Sequence, residues 1–114
     1  VVHSMTTEHT SYAVSDAFRF SNIVFAATTY NNSLHPTMSA TLEDMENMAV
    51  QNRRYSVIGN GSWAPQADRL IEERVSKMKD MTKVGETLVI KSSLAPEQIP
   101  ELEKLADDIA ASMR

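Results

Sequence analysis

The run Asn22-Ile23-Val24-Phe25-Ala26-Ala27-Thr28 is apolar with almost no interruption. A strand with one wet face alternates apolar and polar residues. A continuous run therefore predicts a strand covered on both faces, as in a parallel sheet layered with helices. The rest of the chain repeats this theme. Arg54 to Gly59 reads as a second strand, Glu86 to Lys91 as a third, and Val1 to Met5 as a short one at the start. Between them apolar residues recur at helical spacing. Thr7 or Thr10 is placed to cap a helix reaching Arg19, Pro36 opens one carrying Met38, Leu42, Met45 and Met48, and Pro65 opens one carrying Leu70, Ile71, Val75 and Met78. Ala95-Pro96-Glu97 begins the last helix, with Ile99, Leu102, Leu105, Ala106, Ile109 and Met113 in its stripe. With right-handed crossovers, this order predicts an α/β three-layer sandwich around a mainly parallel sheet. Its central strands are 22–28, 54–59 and 86–91, in one domain spanning residues 1–114.

Composition removes several classes of function. The absence of Cys excludes disulfides, thiolate metal sites and thiol catalysis. It fits a reducing, cytoplasmic setting. No apolar stretch approaches the roughly 20 residues of a membrane span. A formal net charge of −4 argues against nucleic acid, whose binding rests on neutralising phosphates. His3, His9 and His35 do not share a ligand spacing, so no metal site is expected.

The polar residues that follow the strands are more informative. In an open parallel sheet, ligands sit outside the carboxyl ends of the strands. The first run leads into Thr28, Thr29, Tyr30, Asn31 and Asn32, and the second into Asn60, Gly61, Ser62 and Trp63. Each loop thus combines hydroxyls or amides with one large aromatic ring. Two rings facing across a crevice would clamp a flat heterocycle such as a flavin while the amides read its edge. Each group also has a plainer role: Tyr30 and Trp63 as packing anchors, and the asparagines as turn residues that tolerate left-handed backbone. The methionine stripe reads as core, Arg53-Arg54 as a cap on a helix C-terminus, and Glu72-Glu73 and Asp107-Asp108 as helix surface.

These loops resemble those of flavodoxin-like domains, and most closely the flavodoxin domain of flavodiiron proteins (A-type flavoproteins). Thr29-Tyr30-Asn31 followed by His35-Pro36-Thr37-Met38 is similar to that family's T-Y-N and P-P-M pattern. Gly59-Asn60-Gly61-Ser62-Trp63 partly resembles its G-S-Y-G-W loop. The likeness spans essentially the whole chain. It implies FMN held by residues 28–32 and 60–63, electron transfer rather than a complete enzyme, and a redox partner such as a diiron domain or a rubredoxin-like protein.

The chain departs from that pattern at its start. Family members open with a strand, a hydroxyl-rich phosphate loop of S-x-x-G-x-T type and a helix. Ser4-Met5-Thr6-Thr7-Glu8-His9-Thr10 lacks the glycine and places Glu8 where a phosphate would be repelled. The segment instead aligns with the family's second strand, so the domain reads as truncated by its first strand–helix unit. Losing two net bonds to a charged group would forfeit roughly 3–6 kcal/mol of affinity. The missing strand would also open a slot beside residues 22–28, an edge that invites pairing. Three expectations follow: weakened FMN binding, a homodimer formed through that edge, and, as the alternative function, a flavin-free remnant or oligomerisation module.

Overall fold

The computed structural model describes residues 1–5, 7–30, 33–34, 36–61, 67–91 and 94–113, with the backbone alone for Thr29, Tyr30, Ser33 and Leu34. In chain order the elements are α1 (Thr10–Arg19), β1 (Asn22–Tyr30), β2 (Ser33–Leu34), α2 (Pro36–Asn47), β3 (Arg54–Asn60), α3 (Ala67–Val75), β4 (Thr82–Lys83) and β5 (Leu88–Ile90). A 3-10 turn (Pro96–Gln98) then leads into α4 (Ile99–Ser112).

The sheet is mainly parallel. β1 and β3 pair in parallel from Asn22↔Arg54 to Thr28↔Asn60. β4 and β5 follow one another along the far edge of β3, at Arg54↔Thr82 and Tyr55↔Lys83, then from Ile58↔Leu88 to Asn60↔Ile90. Among the described residues only β2 runs antiparallel, and it touches β1 at its last two residues, Thr29↔Leu34 and Tyr30↔Ser33. Two of the predicted strands therefore extend further than expected, to Tyr30 and Asn60. Thr28, Thr29 and Tyr30 belong to β1, not to a loop.

The third predicted strand is corrected. Residues 86–91 do not form one unbroken run. The chain first pairs at Thr82–Lys83, leaves the ladder, and returns at Leu88. At the break Val84 N–H donates to Tyr55 O at 2.7 Å, the Ser56 hydroxyl donates to Val84 O at 2.8 Å, and Gly85 turns the chain at φ +70°. Only glycine adopts that backbone without strain.

Val1–Met5 is the second correction, for it forms no strand. Its side chains bind it to helices instead. His3 Nε2 lies 2.5 Å from Asp16 Oδ2 on α1 and its Nδ1 lies 3.0 Å from Glu8 Oε2, while Met5 Sδ accepts from the Thr41 hydroxyl on α2 at 3.0 Å.

Strand alternation assigns the two faces of the sheet. Ile23, Phe25 and Ala27 of β1 and Tyr55 and Val57 of β3 point toward α1, α2 and α3. There they join Val14, Ala17, Met38, Leu42, Met45, Ala67, Ile71 and Val75 in one buried cluster. The other face presents Val24, Ala26, Ser56, Ile58 and Leu88. α4 covers its β5 side, where Leu88 and Leu105 are both buried. The fold is thus the predicted helix–sheet–helix sandwich, with α1, α2 and α3 on one face and α4 on the other among the described residues.

Local details depart from expectation where tertiary contacts decide. The cap of α1 is His9, whose Nδ1 accepts from Ser11 N–H at 3.1 Å, while the Thr10 hydroxyl reaches Asp44 on α2. Arg53 does cap a helix, but the one it serves is α1. Its guanidinium donates to Ala17 O at 2.8 Å and Phe18 O at 3.1 Å. Met48 lies beyond the end of α2 and is exposed. In α4 only Leu105 is buried, so most of the predicted stripe faces outward. Pro65 lies outside the described residues.

Candidate functional site

The carboxyl ends of β1, β3 and β5 lie side by side, so the segments that follow them open at one end of the sheet. Thr28 stands opposite Asn60, and Asn60 opposite Ile90. Gly61 N–H donates to Ile90 O at 3.1 Å, which ties the start of the second loop to the third strand. That bond already uses the Gly61 donor. Thr28 is exposed, Asn60 half-buried and Gly61 buried. Of the predicted site, these three are fully described. Thr29 and Tyr30 are placed by their backbone at the end of β1. Asn31, Asn32, Ser62 and Trp63 lie outside the described residues.

Two local features position this end. Gly59 lets α3 approach: a Cβ there would sit 2.9 Å from Asp68 Cβ and 3.0 Å from Asp68 N. The first turn of α3 therefore returns close above the end of β3. Beyond β5, the Gln98 carboxamide donates to Val89 O at 2.8 Å and accepts from Ala95 N–H at 3.3 Å. This clasp holds the start of the last helical segment against β5, at the same end of the sheet. The sequence reading did not single it out. The pair Ser92-Ser93 after an apolar run was the available signal, and those two residues lie outside the described residues.

The described polar groups at this end are the Thr28 hydroxyl, the Asn60 carboxamide and main-chain carbonyls, with Lys91 following β5. No group of three metal-binding side chains occurs among the described residues. None of the described helices is long and apolar enough to cross a membrane.

A second site lies at the opposite edge of β1. A cavity of about 890 Å³ runs along Phe20–Thr28 and is walled by Val1–Met5, by Ala13, Asp16 and Ala17 of α1, by Met38 and Met45 of α2, and by Ile109 and Met113 near the end of α4. Its charged wall is the His3 cluster. The Asp16 and Glu8 carboxylates raise the His3 pKa above its ordinary 6.5, and the bond to His3, helped by Arg19, holds Asp16 below its ordinary 3.8.

Comparison with solved structures places this architecture. The chain superimposes on the rubredoxin oxygen:oxidoreductase of Desulfovibrio gigas with a TM-score of 0.85 at 20% identity, covering 95% of this chain and 27% of that one. The fold is flavodoxin-like. A flavodiiron core from Synechocystis matches with a TM-score of 0.84 at 14% identity, over 96% of this chain and 27% of that chain. A flavodoxin from Streptococcus pneumoniae matches at 0.79 and 22% identity, over 98% of this chain and 77% of the flavodoxin. The chain thus spans about a quarter of the two larger proteins. No protein-family profile and no curated protein matches the sequence.

Proposed function

We propose that this flavodoxin-like domain binds FMN across the carboxyl end of its sheet and serves in electron transfer. The observation that supports this reading is the parallel register that sets Thr28 beside Asn60 at the carboxyl ends of β1 and β3. Thr28, Thr29, Tyr30, Asn31 and Asn32 would form one side of the site, and Asn60, Gly61, Ser62 and Trp63 the other. Bound flavin supplies the redox chemistry, accepting and returning electrons. The chain's part is to stack the ring, meet its polar edge and exclude water, with no general base or nucleophile. A diiron domain or a rubredoxin-like protein is the proposed redox partner, and the cytoplasm the proposed setting.

The visible spectrum before and after addition of FMN tests the reading. A saturable change is expected, and Trp63→Ala should weaken binding by about 1–3 kcal/mol, the loss of one stacking platform. An unchanged dissociation constant in that variant rejects the assigned site. The open β1 edge favours a second reading, a flavin-free module that associates as a homodimer. Sedimentation at micromolar concentration with no spectral response to FMN would select it.

A further inference from the structure

We propose, independently of the flavin reading, that Asn60–Gly61 is a site of spontaneous covalent modification, gated by the end of the β3–β5 ladder. The modification is deamidation to aspartate and isoaspartate. Of the chain's asparagines only Asn60 precedes a glycine. The reaction begins when the Gly61 main-chain nitrogen attacks Asn60 Cγ. A new N–C bond closes a succinimide ring, and the Cγ–Nδ2 bond breaks as ammonia leaves. Water then opens the ring at either carbonyl, and the two openings give aspartate and isoaspartate. Glycine favours the attack, because no Cβ shields its nitrogen and its backbone turns freely.

The fold restrains this step. Asn60 is the last residue of β3, paired with Thr28 on one side and Ile90 on the other. Closing the ring swings the Asn60–Gly61 peptide out of the extended conformation of a strand. The attacking nitrogen is also occupied, since Gly61 N–H donates to Ile90 O at 3.1 Å. That bond must open first. It lies at the last residue of β5, and the ends of ladders open far more often than the whole molecule does. Two contacts hold β5 there: Leu88, buried like Leu105 of α4, and the Gln98 carboxamide, which donates to Val89 O at 2.8 Å. The rate is therefore set by local opening of β5, not by global unfolding. Isoaspartate routes the main chain through Cβ and so lengthens it by one carbon. Gly61 then no longer meets Ile90 in register, and a carboxylate stands beside Thr28 where a neutral amide stood. On the flavin reading, and resting on it, that charge would oppose a negatively charged reduced flavin.

The test incubates the folded protein at mildly alkaline pH beside a synthetic peptide of residues 55–69. Trypsin releases the same segment from the protein, and Asn60 is its only asparagine. Mass spectrometry should show amide-to-acid conversion in the folded protein, at least about tenfold slower than in the peptide. Gln98→Ala unfastens β5 and should speed conversion at least about threefold while keeping the circular dichroism. Leu42→Ala weakens the core but not this end, and should change the rate by less than about twofold. Asn60→Gln, which would need a larger ring, should stay unconverted. In converted protein the Gly61 amide should exchange its hydrogen faster than before. These readouts need no flavin, so the modification and the flavin reading can fail separately. Conversion as fast in the folded protein as in the peptide would overturn the gate. Equal acceleration by Leu42→Ala and Gln98→Ala would also overturn it, in favour of global unfolding. No conversion in Gln98→Ala, over many half-lives of the peptide, would show that Asn60–Gly61 is not a modification site.

Discussion

The two faces of the sheet are built from equally apolar strands and have opposite fates. Toward α1, α2 and α3, Leu42, Val57, Ile71 and Val75 are all 0% exposed. Toward α4, Val24 in the middle of β1 is 47% exposed, and Ile99, Leu102 and Met113 on the helix itself face outward. The difference is one of cover, not composition. α1, α2 and α3 tile the first face, where Thr10 joins α1 to Asp44 of α2 and Arg74 of α3 reaches the Ser39 hydroxyl of α2 at 3.5 Å. α4 covers the second over β5, and only its last turn reaches β1, where Asn22 Nδ2 donates to Ser112 Oγ at 2.7 Å. Burial is thus a property of the partner surface as much as of the residue, because the hydrophobic gain scales with the area removed from water.

Core truncation should separate the faces most sharply. Leu42→Ala removes a fully buried side chain and is expected to cost about 2–5 kcal/mol in a denaturant titration. A cost under roughly 1 kcal/mol would mean that the helical face is no better packed than the α4 face.

Gly59→Ala probes how closely α3 is drawn onto that well-packed face. The added methyl would meet the Asp68 backbone, which cannot yield as a flexible side chain does. An overpacking cost of about 1–3 kcal/mol is expected. The matching change at Gly85 meets the movable Leu105 methyl and a positive φ, so comparing the two variants by thermal melting tells packing from backbone strain.

The His3 cluster reports on the open side. His3 is raised by its bonds to Asp16 and Glu8, so it contributes fully below 6.5 and the contribution is lost as pH rises through the raised value. Asp16 is lowered, so its contribution is present above 3.8 and lost as pH falls through the depressed value. The interval between 3.8 and 6.5 is where both hold. His3→Ala should therefore lower Tm at about pH 5 and leave it nearly unchanged at about pH 8.5. A difference of the same size at both pH values would show that His3 acts by packing alone.

The smallest effect is expected on the α4 face. Met113→Ser removes an apolar side chain that is 59% exposed, and stability should move by no more than about 0.5 kcal/mol. A larger loss would show that this face is covered in solution.

Much of this fold was legible in the chain. Residues 22–28 and 54–59 read as strands because unbroken apolar runs have few other uses, and the helical stripes placed α1, α2 and α3. The proposed site rests on the same reading, since ligands in open parallel sheets sit outside the carboxyl ends of the strands. What could not be read depended on contacts far along the chain. The break before β5 is made by Tyr55 and Ser56 holding Val84, and no local pattern around Gly85 announces it. Val1–Met5 looks like a strand in isolation, but a strand needs a ladder partner, and its side chains found helices. Arg53 was recognisable as a cap by its charge and position. Which helix it caps was not, because α1 lies on the far side of β1 in sequence. His9 as the cap of α1 was missed because hydroxyl residues are the usual choice.

The pairing of β1 with β3 also sets the order in which the molecule can assemble. The register from Asn22↔Arg54 to Thr28↔Asn60 joins two strands with all of α2 between them. The chain must close that long loop before any bond of the ladder repays the entropy. Parallel pairing of this kind is slow compared with helix formation. α1 and α2 can each form early from their own i→i+4 contacts, whereas the Thr10–Asp44 bond that joins them spans 34 residues and waits on a closure as long as that of the ladder. β1 then waits for β3 to arrive.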